Sequence, residues 1–233
     1  MVLLVGGDTY DYKGYLGDSI SYIPTLYHPV DGGFAVVTHA PVDALFGDVD
    51  GDYVPDIPIG RLPLREPTEL AIVVNKIIAY DERDKSPSSV FAADAGDIGG
   101  GYSFDSTAQE LVDAFPAAWK AANTNIFVDD YGLQGAERYG LANSDLTNTI
   151  NGGLALASYF GHSGPSRWST STPALLDTND VTLLLNDGAP PLVAQWGCWN
   201  TYYVLPNGNT MGHMLLLDGA HGAGCVNADN RDY

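Results

Sequence analysis

Short apolar runs alternate with stretches of helical periodicity along most of the chain. Residues 2–5 read as a strand, followed by an aromatic, Asp-rich loop over 8–15. Residues 19–45 read as loops or a hairpin, with 34–38 extended, and 57–62 as a short strand. A helix is predicted over 66–80, with Pro67 in its first turn. Leu70, Val73, Val74, Ile77 and Ile78 recur in it at helical spacing and are expected to face the core. Strand 90–93, a glycine-rich loop over 96–101 and a helix over 106–115 come next, then a strand at 126–129. A helix over 144–151 takes Ser144 as its N-cap. The largely apolar strand 154–160, helix 178–185, strand 191–195, helix 211–217 and a last strand from 224 complete the pattern. Such alternation predicts an α/β fold whose mostly parallel sheet is covered on both faces. Internal repeats and Pro/Ser-rich linkers are absent, so residues 1–233 are expected to form a single domain.

Composition narrows the function. With 45% hydrophobic and 11% aromatic residues the chain can build a sizeable core. Its formal charge of -19 repels phosphate backbones, so nucleic acid is not an expected partner. Of the 29 acids, 24 are Asp and 5 are Glu. Asp suits turns, caps and oxygen-ligand metal loops, although a solvated, salt-adapted surface accounts for the excess equally well. No window approaches the roughly 18 apolar residues of a membrane span. The MVLLVGG start lacks the basic and apolar regions of a signal peptide. A strand at Met1 suggests instead that the sequence begins inside a larger fold. Cys198 and Cys225 are too few for a disulfide framework, and pairing them would require parallel strands to bring both sulfurs to one height.

In open α/β sheets, functional residues lie beyond the carboxyl ends of strands. Strand 154–160 runs into Gly161-His162-Ser163-Gly164, and strand 191–195 into Trp196-Gly197-Cys198-Trp199-Asn200. If these strands are neighbours, His162 and Cys198 emerge on one edge, where an imidazole can activate a thiol. The flanking glycines would let backbone N–H groups approach a substrate oxyanion. Taken singly, a Cys is more often a small buried hydrophobe and a His an ordinary hydrogen-bonded residue; Cys225, inside an apolar segment, reads as core. A second constellation places Asp48, Asp50, Asp52 and Asp56 around Gly51, a spacing that offers several oxygens to Ca²⁺ but departs from an EF-hand. An Asp-rich surface turn is the alternative. Asp94 and Asp105 form a third set that could overhang the sheet edge and select a basic group, although Asp105 equally suits a helix cap.

The segments VLLVGGDTYDY, DVDGDYVPDIPIGRLP and VVNKIIAYDER, then GHSG and GCWN, resemble in their order the gingipain family of cysteine endopeptidases. The resemblance spans nearly all 233 residues. It implies a caspase-like three-layer α/β/α sandwich, reduced at both ends relative to the family. It further implies His162 as general base, Cys198 as nucleophile, and the amides of Cys198 and Ser163 as the oxyanion hole. Asp105 falls where Arg-specific members bind the P1 guanidinium, Asp94 where an accessory acid lies, and Asn200 where an asparagine commonly follows the nucleophile. Trp196 and Trp199 are expected to line the cleft. The Asp48 loop matches a calcium-like Asp run, so structural calcium is expected and no organic cofactor. The family's Gly-His-Gly reads Gly-His-Ser-Gly here, which puts a Cβ where the family has none. The implied function is a secreted or cell-surface endopeptidase acting on proteins or peptides, plausible P1 residues being Arg or Lys, within a longer precursor. The alternatives are a weak or inactive calcium-binding module of a larger surface protein, and a processing peptidase of a secretion system.

Overall fold

In a computed structural model, residues 1–17, 19–30, 38–84, 86–97, 101–186 and 188–218 are described in full, and 224–227 through the backbone. The chain divides into two units, one of residues 1–70 with 202–208 and the other of 71–201 with 209–233. The sequence carries no linker that announces this division, because the chain leaves the second unit at 202 and re-enters it at 209.

In the first unit β1 (Val2–Val5) pairs in parallel with a strand that follows two others in sequence. β2 (Tyr27–Pro29) and β3 (His39–Pro41) form an antiparallel pair, a 3₁₀ turn covers Asp43–Phe46, and β4 (Ile59–Leu62) is the partner of β1. Arg61 of the IGRLP segment organises this unit. Its guanidinium meets Asp43 in a bidentate pair at 2.5 and 2.8 Å and also donates to the carbonyls of Gly6 and Ile23. One planar fork thus ties three stretches of chain. The expected extension over 34–38 lies, except for Thr38, outside the described residues.

Helix α1 (Pro67–Glu82) begins in the first unit and continues in the second. Only Val73 of its five predicted core positions is buried; Leu70, Val74, Ile77 and Ile78 are 39–47% exposed, which corrects the periodicity reading. The buried polar neighbour of Val73 is Lys76, whose ammonium donates to the carbonyls of Leu215, Leu216 and Asp218. The side of α1 that turns inward is thus the one carrying Val73 and Lys76, whose ammonium meets the last carbonyls of the helix 211–217.

The rest of the second unit alternates as predicted. Its elements are β5 (Ser89–Ala93), α2 (Phe104–Ala114), α3 (Ala117–Ala121), β6 (Asn123–Phe127), α4 (Gly135–Asn151) and β7 (Leu156–Phe160). Three short strands follow, β8 (Ser163–Gly164), β9 (Arg167–Trp168) and β10 (Leu176–Asp177), then α5 (Thr178–Thr182), β11 (Leu192–Trp196), α6 (Met211–Leu217) and β12 (Gly224–Asn227). The main sheet has the order β12-β11-β7-β5-β6 and is parallel throughout. Strand alternation sorts β5 between two cores. Val90 and Ala92 join Ile126, Tyr139, Leu146 and Val193 under α4 and α6, while Phe91 and Ala93 join Phe160, Ala108 and Val112 under α2. Helices therefore cover both faces of a buried parallel sheet. Ser144 lies inside α4 rather than capping it, because the buried positions Tyr139, Ala142, Leu146 and Ile150 carry the helix back to Gly135. Among the described residues no helix is long and apolar enough to cross a membrane.

Candidate active site

β7 and β11 are parallel neighbours in register, with Phe160 opposite Trp196. Their ladder ends on the bond from Gly161 N–H to the Trp196 carbonyl, at 3.3 Å. Both flagged loops thus leave adjacent strands at the same level. Gly161 has to be bare, since a Cβ there would collide with the Cβ of Asp94 and the hydroxyl of Tyr159. The next carbonyl, that of His162, accepts from Ser169 N–H at 2.7 Å and from the Tyr159 hydroxyl at 2.5 Å. Tyr159 in turn stacks on Trp168 at 4.7 Å, so the backbone of the histidine loop is held from below.

The His162 side chain is about half exposed. Its Nε2 lies 2.9 and 3.0 Å from the two carboxylate oxygens of Asp97, and the Phe104 ring meets it edge-on at 5.2 Å. Engaging Nε2 this way leaves Nδ1 as the ring nitrogen that can carry a lone pair. Asp97 was not among the sequence-derived candidates, although it lies in the glycine-rich loop after β5. The sheet order is the missing signal: β5 adjoins β7 with Ala93 opposite Phe160, so an acid shortly after β5 reaches a residue shortly after β7.

Ser163 donates its hydroxyl to the Cys198 carbonyl at 2.5 Å and thereby joins the two loops. Cys198 is partly exposed and lies outside any disulfide. In the register of β11 and β12, Cys225 stands opposite Val193, five positions before Cys198 in sequence. Trp199 adopts a left-handed φ of 68° immediately after Cys198. The amide N–H groups at the start of α6 hold both loops, Met211 donating to Pro165 and Gly212 to Asn200.

The proposed substrate contacts fall in different settings. Trp196 is 43% exposed and stacks on Phe160 at 5.6 Å, which makes it a rigid wall on the α2 face. Asn200 is buried, and neither of its amide atoms has a hydrogen-bond partner among the described residues. Asp94 is buried beneath the loop. Its carboxylate accepts from the Tyr139 hydroxyl at 2.5 Å and from Ala95 N–H, and burial raises its pKa despite those donors. Asp105 accepts from Ser103 Oγ and Ser106 N–H at the start of α2, as a first-turn acid does. In the first unit, Asp48, Asp50 and Asp56 bring one oxygen each within 4.8 Å of one another. Asp52 is not in that group, and its carboxylate instead accepts from Val54 N–H. Three carboxylates on one exposed loop match the hard-oxygen chemistry of Ca²⁺ but supply only part of the usual six to eight ligands.

Peptidase family C25 matches residues 1–232. The chain belongs to that family. C25 membership agrees with the resemblance read from the motifs. Solved structures agree in fold. The Arg-specific cysteine proteinase gingipain R superposes with a TM-score of 0.66 at 18% identity over 96% of this chain. A complex of the pro- and mature domains of RgpB from Porphyromonas gingivalis gives 0.65 at 18% identity over 96%. A further structure described as a protease gives 0.64 at 22% identity over the whole chain. The C25 chain spans 47%, 48% and 46% of those three, so it covers a little under half of their length. None of the curated proteins matches it.

Proposed function

We propose that this chain carries the active site of a cysteine endopeptidase. Cys198 thiolate attacks the scissile carbonyl carbon, and the carbonyl π electrons move to oxygen. The Cys198 and Ser163 amides stabilise that oxyanion. His162 takes the thiol proton and passes it to the leaving amine as the C–N bond breaks. Water then attacks the thioester, returns its proton through His162, and releases the carboxylate and the thiol. Asp97 holds Nε2 and so keeps Nδ1 basic. The observation that carries this reading is the shared register of β7 and β11, whose ends deliver His162 and Cys198 to one sheet edge in loops joined by Ser163. Cys198→Ala should abolish hydrolysis of denatured casein while leaving the circular dichroism spectrum intact. Retained turnover would sink the assignment.

The finer parts of the reading rest on the resemblance. Selection of Arg or Lys at P1 falls to Asp105 alone, since Asp94 is buried; equal rates on Arg, Lys and uncharged P1 peptides would remove that role. A calcium ion on the Asp48 loop would brace the first unit, with Asp48, Asp50 and Asp56 as its carboxylate ligands. Action outside the cell, on protein substrates and within a longer precursor, belongs to the same proposal.

A further inference from the structure

The β7–β11 ladder runs two residues at a time, and its last backbone rung joins Gly161 N–H to the Trp196 carbonyl. One step further on each strand, the next rung would join Ser163 N–H to the Cys198 carbonyl. That carbonyl accepts the Ser163 hydroxyl instead, at 2.5 Å. The β8–β9 hairpin does not use the Ser163 amide either. The bond from Ser169 N–H to the His162 carbonyl marks residues 162 and 169 as a hydrogen-bonded pair, so the adjacent pair, Ser163 and Trp168, is of the non-hydrogen-bonded kind.

Resting on the reading of Cys198 as nucleophile, we propose that the Ser163 hydroxyl is a positioning group. It completes the rung that its own amide would otherwise make, fixes the peptide plane after Cys198, and leaves the Ser163 N–H directed to the substrate oxyanion. The fit is specific to a small hydroxylated side chain. Ser163 is 8% exposed and packs against Gly197, where any Cβ would collide with its Oγ. The carbonyl it grips precedes Trp199, which holds a φ of 68° that L residues rarely adopt. The serine that departs from the family's Gly-His-Gly thereby clamps the nucleophile loop to the histidine loop.

Two readouts separate this role from a merely structural one. Casein or peptide hydrolysis needs the oxyanion hole, whereas alkylation of Cys198 by iodoacetamide needs only a reactive thiolate. Ser163→Ala and Ser163→Gly should lower kcat about tenfold to a hundredfold, below the loss from deleting an oxyanion donor outright, with KM within about twofold. Their alkylation rates should stay within about threefold of wild type, and Ser163→Thr, which keeps the hydroxyl, should recover most of kcat. Wild-type kcat in Ser163→Ala would overturn the clamp alone, as would equal losses of turnover and alkylation. If the alanine chain fails to fold, Ser163→Thr decides, and a folded threonine variant with less than about a tenth of wild-type kcat would overturn the clamp. Turnover that survives Cys198→Ala would instead remove the underlying reading, and the clamp with it.

Discussion

Replacing Asp97 tests how the imidazole is poised. Its carboxylate lies 2.9 Å from His162 Nε2, but the two side chains are 45% and 47% exposed. Opposite charges about 4 Å apart interact by about 1 kcal/mol in water and about 4 kcal/mol at a partly screened surface. Half exposure places this pair toward the lower figure, at about 1–2 kcal/mol of support for the imidazolium that forms during turnover. At 1.36 kcal/mol per tenfold, Asp97→Ala should therefore lower kcat/KM roughly five- to thirtyfold. Asp97→Asn keeps an acceptor for Nε2–H but removes the charge, so it should fall between wild type and alanine. The assay is initial-rate hydrolysis of one peptide substrate by all three proteins, each checked for an unchanged melting temperature. An alanine variant with wild-type kcat/KM would refute the orienting role. A loss of ten-thousandfold would refute the exposed-pair estimate.

Lys76 offers a pH test of the fold. Burial lowers its ammonium pKa from 10.5 to about 8, so between about pH 8 and 10.5 the unfolded chain binds a proton that the folded chain has lost. Stability should therefore rise with pH across that window by about 3 kcal/mol relative to Lys76→Met, with urea melts of the two proteins differenced to cancel the tyrosines; parallel pH profiles would contradict it. Gly161→Ala should cost about 1–3 kcal/mol through overpacking against Asp94 and Tyr159. Gly164→Ala, whose Cβ would have Arg167 Cγ at 3.7 Å as its nearest neighbour, should melt like wild type, and equal melting temperatures for all three proteins would remove the crowding argument. Calcium at about a hundredfold above its dissociation constant should stabilise the chain by about 2.7 kcal/mol and lose that effect in Asp50→Ala; an unmoved melting temperature would take the metal out of the account.

Elements with one strong local signal were legible in the sequence. The apolar run before Gly161, the run before Gly197 and helix 211–217 all stand where their patterns put them, because a buried parallel strand or a short core helix is apolar nearly throughout. Elements whose reason for existing lies elsewhere in the fold were harder to read. The first half of β6, Asn123-Thr124-Asn125, is polar because it lies on an edge strand, and α3 before it is a single short helix. α1 shows a regular aliphatic stripe yet turns Lys76 inward, where it meets carbonyls at the end of α6 that lie about 140 residues away in sequence. The site divides in the same way. His162 and Cys198 follow from strand ends, whereas Asp97 follows only from sheet order, and the burial of Asp94 only from Tyr139 reaching across from α4.

The central claim is that His162 activates Cys198, and the thiol itself reports on it most directly. The pseudo-first-order rate of Cys198 alkylation by iodoacetamide near pH 7, followed by intact mass, should exceed that of a free cysteine by tenfold or more. It should fall to near the free-cysteine rate in His162→Ala. An unaccelerated thiol in the wild-type protein, or a rate indifferent to His162, would contradict the account.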